Sequence, residues 1–339
     1  MDQPTLTFFC ELHASELETL FSASELVPQL RRLNANISMA IQDFSPERVK
    51  VVKKLTRAGI PVTAWLLLPP EEGYWTSLDT LQQTAERYTQ FLEWTRSNDL
   101  TWAAIGLDIE PRLDFLQRIS KDFASQIPVL MKRLVSFRKT ARLEMEASSL
   151  VARMHEDGYA VETYQIPLMI EERRAQSSLL ARLFGLTALE ADREVLMLYS
   201  SFFQQAGEAI LWSYARETIA VGVGSTGGGV EVEGMPASRK LRWLELKRDL
   251  LEASQHARHI YIFSLEGCVE QNFLERLETL DWHFPQPLPV HKASEITIFR
   301  KVAQAVLWML SHPLSSFLIF FPPAFLLISR KRVKIRISR

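Results

Sequence analysis

The sequence predicts an α/β chain folded as a (β/α)8 TIM-type barrel with a C-terminal hydrophobic segment, and three observations carry the barrel. Eight short apolar runs, rich in β-branched and aromatic residues, recur along the chain with helical stretches between them. They fall within residues 1–281, close to the roughly 250 residues usual for such a barrel. The first run ends in Cys10-Glu11-Leu12-His13-Ala14-Ser15, without the glycine-rich turn of the rival doubly wound sheet.

Taken in order, strands are expected near Thr5–Glu11, Asn36–Asp43, Pro61–Leu68, Thr101–Ile109, Tyr159–Ile166, Glu194–Ser201, Thr218–Gly224 and His259–Ser264. Between the second and third lies SPERVKVVKKLTRAG at 45–59. Ser45 offers an N-cap, Pro46 suits a first turn, Glu47 favours the positive end of the helix dipole and Gly59 closes the helix. The next helical stretch, 78–99, carries Leu78, Leu81, Ala85, Tyr88 and Leu92 on one stripe. Residues 112–156 are longer than one barrel helix requires, so they predict either two helices or one that projects from the barrel.

The 339 residues are 47% hydrophobic and 23% charged, which excludes a disordered or low-complexity chain. A net charge of −1 gives no whole-chain field toward nucleic acid, and no nucleic-acid partner is expected. Two cysteines, Cys10 and Cys268, are too few for a disulfide framework or a cysteine-rich zinc site. Cys10 is expected to point outward between strand and helix and to be inert.

Residues 302–329 contain no Asp, Glu, Lys or Arg, and residues 330–339 (RKRVKIRISR) hold six basic residues and no acid. A span needs about 20 apolar residues, so 302–329 reads as a hydrophobic membrane segment with a basic tail, and the protein as membrane-associated. Residues 282–301, with their prolines, read as a linker. A barrel on the cytosolic side would send the six charges outward, against the positive-inside tendency. Two arrangements escape that conflict: a segment that dips and returns at Pro313 or at Pro322-Pro323, or a lost upstream signal with the barrel outside.

In such barrels function sits at the carboxyl ends of the strands. Here those ends carry Glu11 and His13, Gln42 and Asp43, the run Pro69–Trp75, Asp108 and Glu110, Tyr164 and Gln165, Tyr199 and Ser200, the glycine-rich 224–229, and Ser264 with Glu266. Sugars suit this combination, since aromatic faces stack on rings while carboxylates bind hydroxyls and move protons. In WAAIGLDIEP the two-residue strand period turns Gly106, Asp108 and Glu110 to the lumen and Leu107 and Ile109 to the outer helices. Two carboxylates so close cannot both ionise freely, so one is expected to hold a proton. Asp108 and Glu110 are the candidate catalytic pair; Glu11, Asp43, Trp75, Tyr164, Tyr199 and Glu266 are candidate substrate-binding residues. Of the tryptophans, Trp75 is the candidate for sugar stacking ahead of Trp65, and Trp102 is expected as core at the barrel bottom.

GLDIEP at 106–111 resembles the strand-four signature of the chitinase-like hydrolases of glycoside hydrolase family eighteen, Asp-Gly-x-Asp-x-Asp-x-Glu, and the Asp-x-Glu of the family twenty-five lysozymes. The resemblance covers about six residues and implies a barrel that cleaves N-acetyl-hexosamine polymers. Matched on its final Asp-x-Glu, it makes Glu110 the general acid and Asp108 the residue that orients the substrate acetamido group, with Tyr199 standing for the strand-six tyrosine. Gly106 then replaces a further signature aspartate. Matched on the glycine instead, the acid position falls on Arg112, which cannot donate a proton in this role. Strand eight of that group brings a tryptophan to the pocket, where this chain has Ser264-Leu265-Glu266-Gly267.

Glycines 224 and 227–229 read as a lid or substrate-contacting loop, since no Lys or Arg lies between Arg216 and Arg239 to hold phosphate. The scattered histidines predict no metal site, and no cofactor is expected. The sequence therefore points to a glycoside hydrolase-like enzyme acting on a carbohydrate, with a non-catalytic membrane-anchored barrel that binds a glycan or a protein partner as the alternative.

Overall fold

The computed structural model describes residues 3–203, 206–229, 239–284 and 290–312. Eight parallel strands close into a barrel in sequence order: β1 (Thr5–Cys10), β2 (Asn36–Ile41), β3 (Val62–Leu66), β4 (Ala104–Ile109), β5 (Val161–Gln165), β6 (Arg193–Met197), β7 (Ala220–Gly224) and β8 (His259–Phe263). Closure runs through β1, whose Leu6 and Phe8 pair with Ile260 and Ile262. All eight expected strands are present, each starting or ending within a few residues of its expected limits.

The helices follow in turn. α1 (Ala14–Ser22) and α2 (Leu26–Arg32) lie between β1 and β2, α3 (Pro46–Arg57) before β3, and α4 (Leu81–Ser97) before β4. The long stretch after β4 divides into α5 (Leu113–Lys121), α6 (Phe123–Leu134) and α7 (Phe137–Glu156). Next come α8 (Met169–Arg174) and α9 (Leu179–Phe184), α10 (Gly207–Ala215), α11 (Trp243–Ser254), α12 (Leu265–Glu270), α13 (Phe273–Glu278) and α14 (Val290–Ser311). The α3 reading holds in detail: Ser45 Oγ accepts from Arg48 N at 3.3 Å, and Pro46 sits in the first turn.

Two apolar layers follow from strand alternation. Ile105, Leu107, Ile109 and Cys10 pack outward on the helices. Phe9, Trp65, Tyr164, Tyr199, Tyr261 and Phe263 fill the lumen. Cys10 and Cys268 are both buried free thiols, and desolvation raises each above its ordinary pKa. Gly106 is required by this filling, because a Cβ there would lie 2.8 Å from Tyr164 Cζ. Trp102 joins the core just before the start of β4, partly buried against Phe91 and Trp94 of α4, and its Nε1 donates to Thr95 Oγ1 at 3.0 Å.

The linker reading of 282–301 needs correcting from residue 290 onward. α14 is a 22-residue helix packed on α8 and α10. Its prolines lie before it, at 285, 287 and 289, which freed the following residues to be helical. Arg300 pins it: Nε donates to Glu171 Oε1 at 2.7 Å, Nη1 to Ser213 O at 2.7 Å and Nη2 to Glu217 Oε1 at 3.0 Å. Leu307 joins the core, and Ser311 Oγ meets Ser177 Oγ at 2.7 Å. The first ten residues of the expected membrane segment, 302–311, are therefore part of a helix seated on the barrel. Among the described residues no helix is long and apolar enough to cross a membrane, and 313–339 lie outside them.

Replacing Arg300 by Met should destabilise the protein by about 3 kcal/mol, because it leaves Glu171 buried beside an apolar group. Urea unfolding would measure this, and an unchanged midpoint would show that α14 adds nothing to the fold.

Candidate active site

The acid strand ends the way its alternation dictates. Asp108 is 4% exposed and faces the lumen, while Glu110 is half-buried one step nearer the rim. A second backbone clamps both. The segment after β3 bridges to β4 at Thr76, whose N–H donates to Asp108 O at 2.9 Å and whose carbonyl accepts from Glu110 N at 3.2 Å. Sequence periodicity could not reveal this clamp, because it joins a loop to a strand.

Two further carboxylates share the mouth. Glu11, just past β1, accepts a short hydrogen bond from the Tyr74 hydroxyl, which also accepts from Gln42 Nε2 at 3.0 Å. Glu266, at the start of α12, accepts from Glu11 N at 3.4 Å through Oε1, while its buried Oε2 has no partner among the described residues. Tyr74 has φ 67°, unusual for a bulky residue, and such a conformation costs on the order of 1–3 kcal/mol. Its two hydroxyl contacts hold it there. Tyr74 and Gln42 were expected at the functional rim but not among the candidate substrate-binding residues. Gly73 beside Tyr74, with Pro69-Pro70 before it, was the local sign of a special turn, and Gly73 takes φ 116°.

Electrostatics mark the group as unusual. Burial pushes Glu11 up to about 8 despite the opposing Tyr74 hydrogen bond, with repulsion from Glu266 and Glu110 adding to the rise. Burial also lifts Glu110 and Glu266 to about 7 each. Asp108 is raised by burial first and then by Glu110 and Glu11, and its buried Oδ1 has no hydrogen-bond partner among the described residues. The expectation of one protonated carboxylate thus becomes several competing for ionisation. Among the described residues no Lys or Arg forms an ion pair with any of the four. Arg112, the nearest basic residue in sequence, is turned to Asp114 at 3.0 Å.

The other expected residues divide. Tyr199 lies at the mouth, where burial and then Asp108, Glu110 and Glu11 raise its hydroxyl pKa. Asp43 is engaged elsewhere. Arg48 donates to it at 2.7 Å, and Ser45 N at 3.0 Å; although burial works upward, these bonds hold it down at about 2. The chain turns after β2 to cap α3, and that turn takes Asp43 with it. Tyr164 is fully buried below the mouth, with its hydroxyl 2.7 Å from Ser38 Oγ. Trp75 is only 8% exposed, set edge-on to Tyr74 with ring centroids 5.3 Å apart, so it is wall and not an open platform. Phe202, 55% exposed and edge-on to Tyr199, and Phe203 are the open aromatic surface instead.

The glycine-rich loop closes the ring. A Cβ on Gly228, at φ 77°, would run into the Glu266 carboxylate and lie 3.1 Å from Ser264 Oγ, so only glycine lets the backbone pass so close. A Cβ on Gly229 would sit 3.1 Å from the Phe263 ring and 3.8 Å from Glu11 Oε2. The continuation of that loop, 230–238, lies outside the described residues.

No family model and no curated protein sequence matches the chain. Among solved structures the chain is similar to the glycoside hydrolase domain of PgaB (BpsB) from Bordetella bronchiseptica, with a TM-score of 0.50 at 10% identity over 82% of this chain and 99% of that one. Weaker likenesses are to D-allulose 3-epimerase from Methylomonas sp. (TM-score 0.42, 10% identity, 88% and 99% covered) and to Saccharomyces cerevisiae Gas2p in complex with laminaritetraose and laminaripentaose (0.41, 11%, 77% and 56%). What the first of these likenesses shows is the shared barrel fold.

The raised carboxylates set a direction for stability. A carboxyl whose folded pKa lies above its unfolded value binds more protons when folded, so its contribution is full below about 4.5 and is lost as pH rises through about 7 to 8. Melting temperature should therefore fall across that window, and Glu11→Gln should flatten the fall. A melting profile as steep in the variant as in the parent would show that Glu11 is not desolvated.

Proposed function

We propose that this chain is a glycoside hydrolase-like enzyme that cleaves a glycan by acid-assisted hydrolysis at the mouth of the barrel. One observation carries the reading. Asp108 and Glu110 stand on one strand face, the first buried and the second half-buried, both raised in pKa, with no cation among the described residues to neutralise them. A salt-bridged rim pair would be ionised and inert; this pair has a proton to give near neutral pH. The hydrolase domain that shares the barrel supports the reading as a fold that hosts such chemistry.

In this proposal Glu110 protonates the glycosidic oxygen as the bond to the sugar carbon breaks; water then adds to that carbon and gives its proton to the Glu110 carboxylate, which restores the acid. Asp108, deeper in the lumen, holds the reacting sugar and steadies positive charge on it. Glu11 and Glu266 bind hydroxyls on the opposite wall, with Tyr74 orienting Glu11. Tyr199 and the exposed Phe202 line the approach. Amino-sugar polymers are the first substrates to test, because GLDIEP resembles the signature of hydrolases that cleave them. The space of that signature's additional aspartate is here taken by the Tyr164 ring against Gly106.

Glu110→Gln should lower turnover by about 10²–10⁴-fold while leaving glycan affinity and melting temperature nearly unchanged, since the amide keeps shape but delivers no proton. Activity of the parent should fall as pH rises through about 7, where Glu110 loses its proton. Undiminished hydrolysis in Glu110→Gln would overturn the acid assignment. A parent that binds chito-oligosaccharides yet cleaves none would identify a glycan-binding barrel instead.

We also propose that the chain attaches to a membrane through residues 313–339. Residues 313–329 are uncharged and largely apolar, and six basic residues follow, each worth roughly 1 kcal/mol beside an anionic leaflet. Deleting 313–339, and not the packed residues 302–312, should give a folded protein that sediments with membranes much less than the full chain. Full retention on membranes would place the anchor elsewhere.

A further inference from the structure

Helix α6 presents an apolar stripe to solvent. Phe123, Ile127 and Met131 recur every fourth residue and are 59%, 46% and 60% exposed, and Val135, just past the helix, is 71% exposed. Contacts near its C-terminal end hold the helix to the protein. Arg133 pairs with Asp79 at 2.7 Å and donates to Leu183 O at 3.0 Å, and Leu134 packs against the core. The stripe thus stays open to solvent on a helix anchored near its C-terminal end. A monomer seldom leaves large apolar side chains aligned in water without a use for them.

Charge identifies the occupant. Residues 123–143 contain Lys132, Arg133, Arg138, Lys139 and Arg142 and no acidic residue, in a chain whose net charge is −1. Arg138, Lys139 and Arg142 are exposed at the start of α7, immediately beyond the stripe. Apolar side chains flanked by basic ones, on a helix lying flat on a protein, match a helix resting in the interface of an anionic bilayer. A second apolar row runs along α14 through Ile298, Val302, Val306 and Leu310, 62%, 55%, 41% and 53% exposed, and both helices pack against α9. From the end of α14 the chain continues into its uncharged residues 313–329 and then its basic tail.

We infer that α6, with the basic start of α7, is a membrane-docking surface that seats its Phe123–Val135 stripe in an anionic phospholipid bilayer. α5 and α6 are inserted between the carboxyl end of β4 and α7, the helix that returns the chain to β5. The Arg133–Asp79 pair also ties α6 to the loop after β3 that clamps the acid strand. Docking through α6 therefore brings the mouth of the barrel to the lipid surface. This inference stands apart from the hydrolase reading and needs no turnover to be tested.

The full chain carrying Ile127→Cys would be labelled with an environment-sensitive fluorophore, since Cys10 and Cys268 are buried. A label at Ser148→Cys, exposed further along α7, serves as the reference. With vesicles of phosphatidylcholine and phosphatidylserine, the label at 127 should shift to the blue and be quenched by nitroxide-bearing lipid, and the label at 148 should do neither. Replacing Arg138, Lys139 and Arg142 with Glu should remove most of that quenching, since each basic residue lost near an anionic leaflet weakens attachment about fivefold. Unchanged emission at 127 in protein that sediments with the vesicles would overturn the inference. So would a concentration-dependent blue shift without lipid, which marks a second copy as occupant, or a label already shielded in lipid-free protein, which marks the chain's own tail.

Discussion

Four carboxylates with no cation of their own among the described residues sit at one end of a closed sheet, and withdrawal from water is what sets their character. In bulk water Glu11, Asp108, Glu110 and Glu266 would all be ionised at neutral pH. Inside the ring of strand ends each loses solvation, and each ionised neighbour makes the next ionisation harder. The mouth therefore holds exchangeable protons in a range where an ordinary carboxylate holds none. A proton donor next to a carboxylate is the minimum that acid-assisted cleavage requires.

Holding such a group together takes structural support, and the support comes from loops. Thr76 secures the backbone of both strand-four acids. Tyr74 accepts a left-handed conformation so that its hydroxyl can reach Glu11. Gly228 lets the loop after β7 pass against Glu266. Beneath this ring the lumen is filled with aromatic side chains, among them Phe9, Trp65 and Tyr164 in mutual edge contact. That floor restricts the chemistry to the rim and leaves no room for another acid at position 106.

Outside the barrel the chain carries additions that the closed sheet does not need. α5 and α6 interrupt the path from β4 to α7, and α14 lies over α8 and α10. Each is fastened by arginine: Arg133 and Arg182 on the α6–α9 side, Arg300 on α14. The guanidinium suits this task because one planar group can satisfy a carboxylate and backbone carbonyls together. Fastened in this way, each of α6 and α14 still shows a row of apolar side chains to solvent.

The barrel and its acid strand were legible in the sequence because both are local patterns. A two-residue alternation assigns Gly106, Asp108 and Glu110 to one face whatever the rest of the chain does, and short apolar runs between amphipathic stretches suffice to count eight strands. Only the tertiary structure decided which rim residues meet. Asp43 stands at a strand end like Glu11, yet Arg48, five residues on, claims it; Tyr164 and Trp75 are aromatic and near the rim, yet they are packed below or within the wall. Tyr74 became a site residue through a partner 63 positions away in sequence. Composition also read 290–301 as connection, where a single buried arginine, Arg300, makes helix and barrel one body. The division has one cause: the direction of a side chain is set by its own strand, whereas its partner and its exposure are set by segments that only folding brings near.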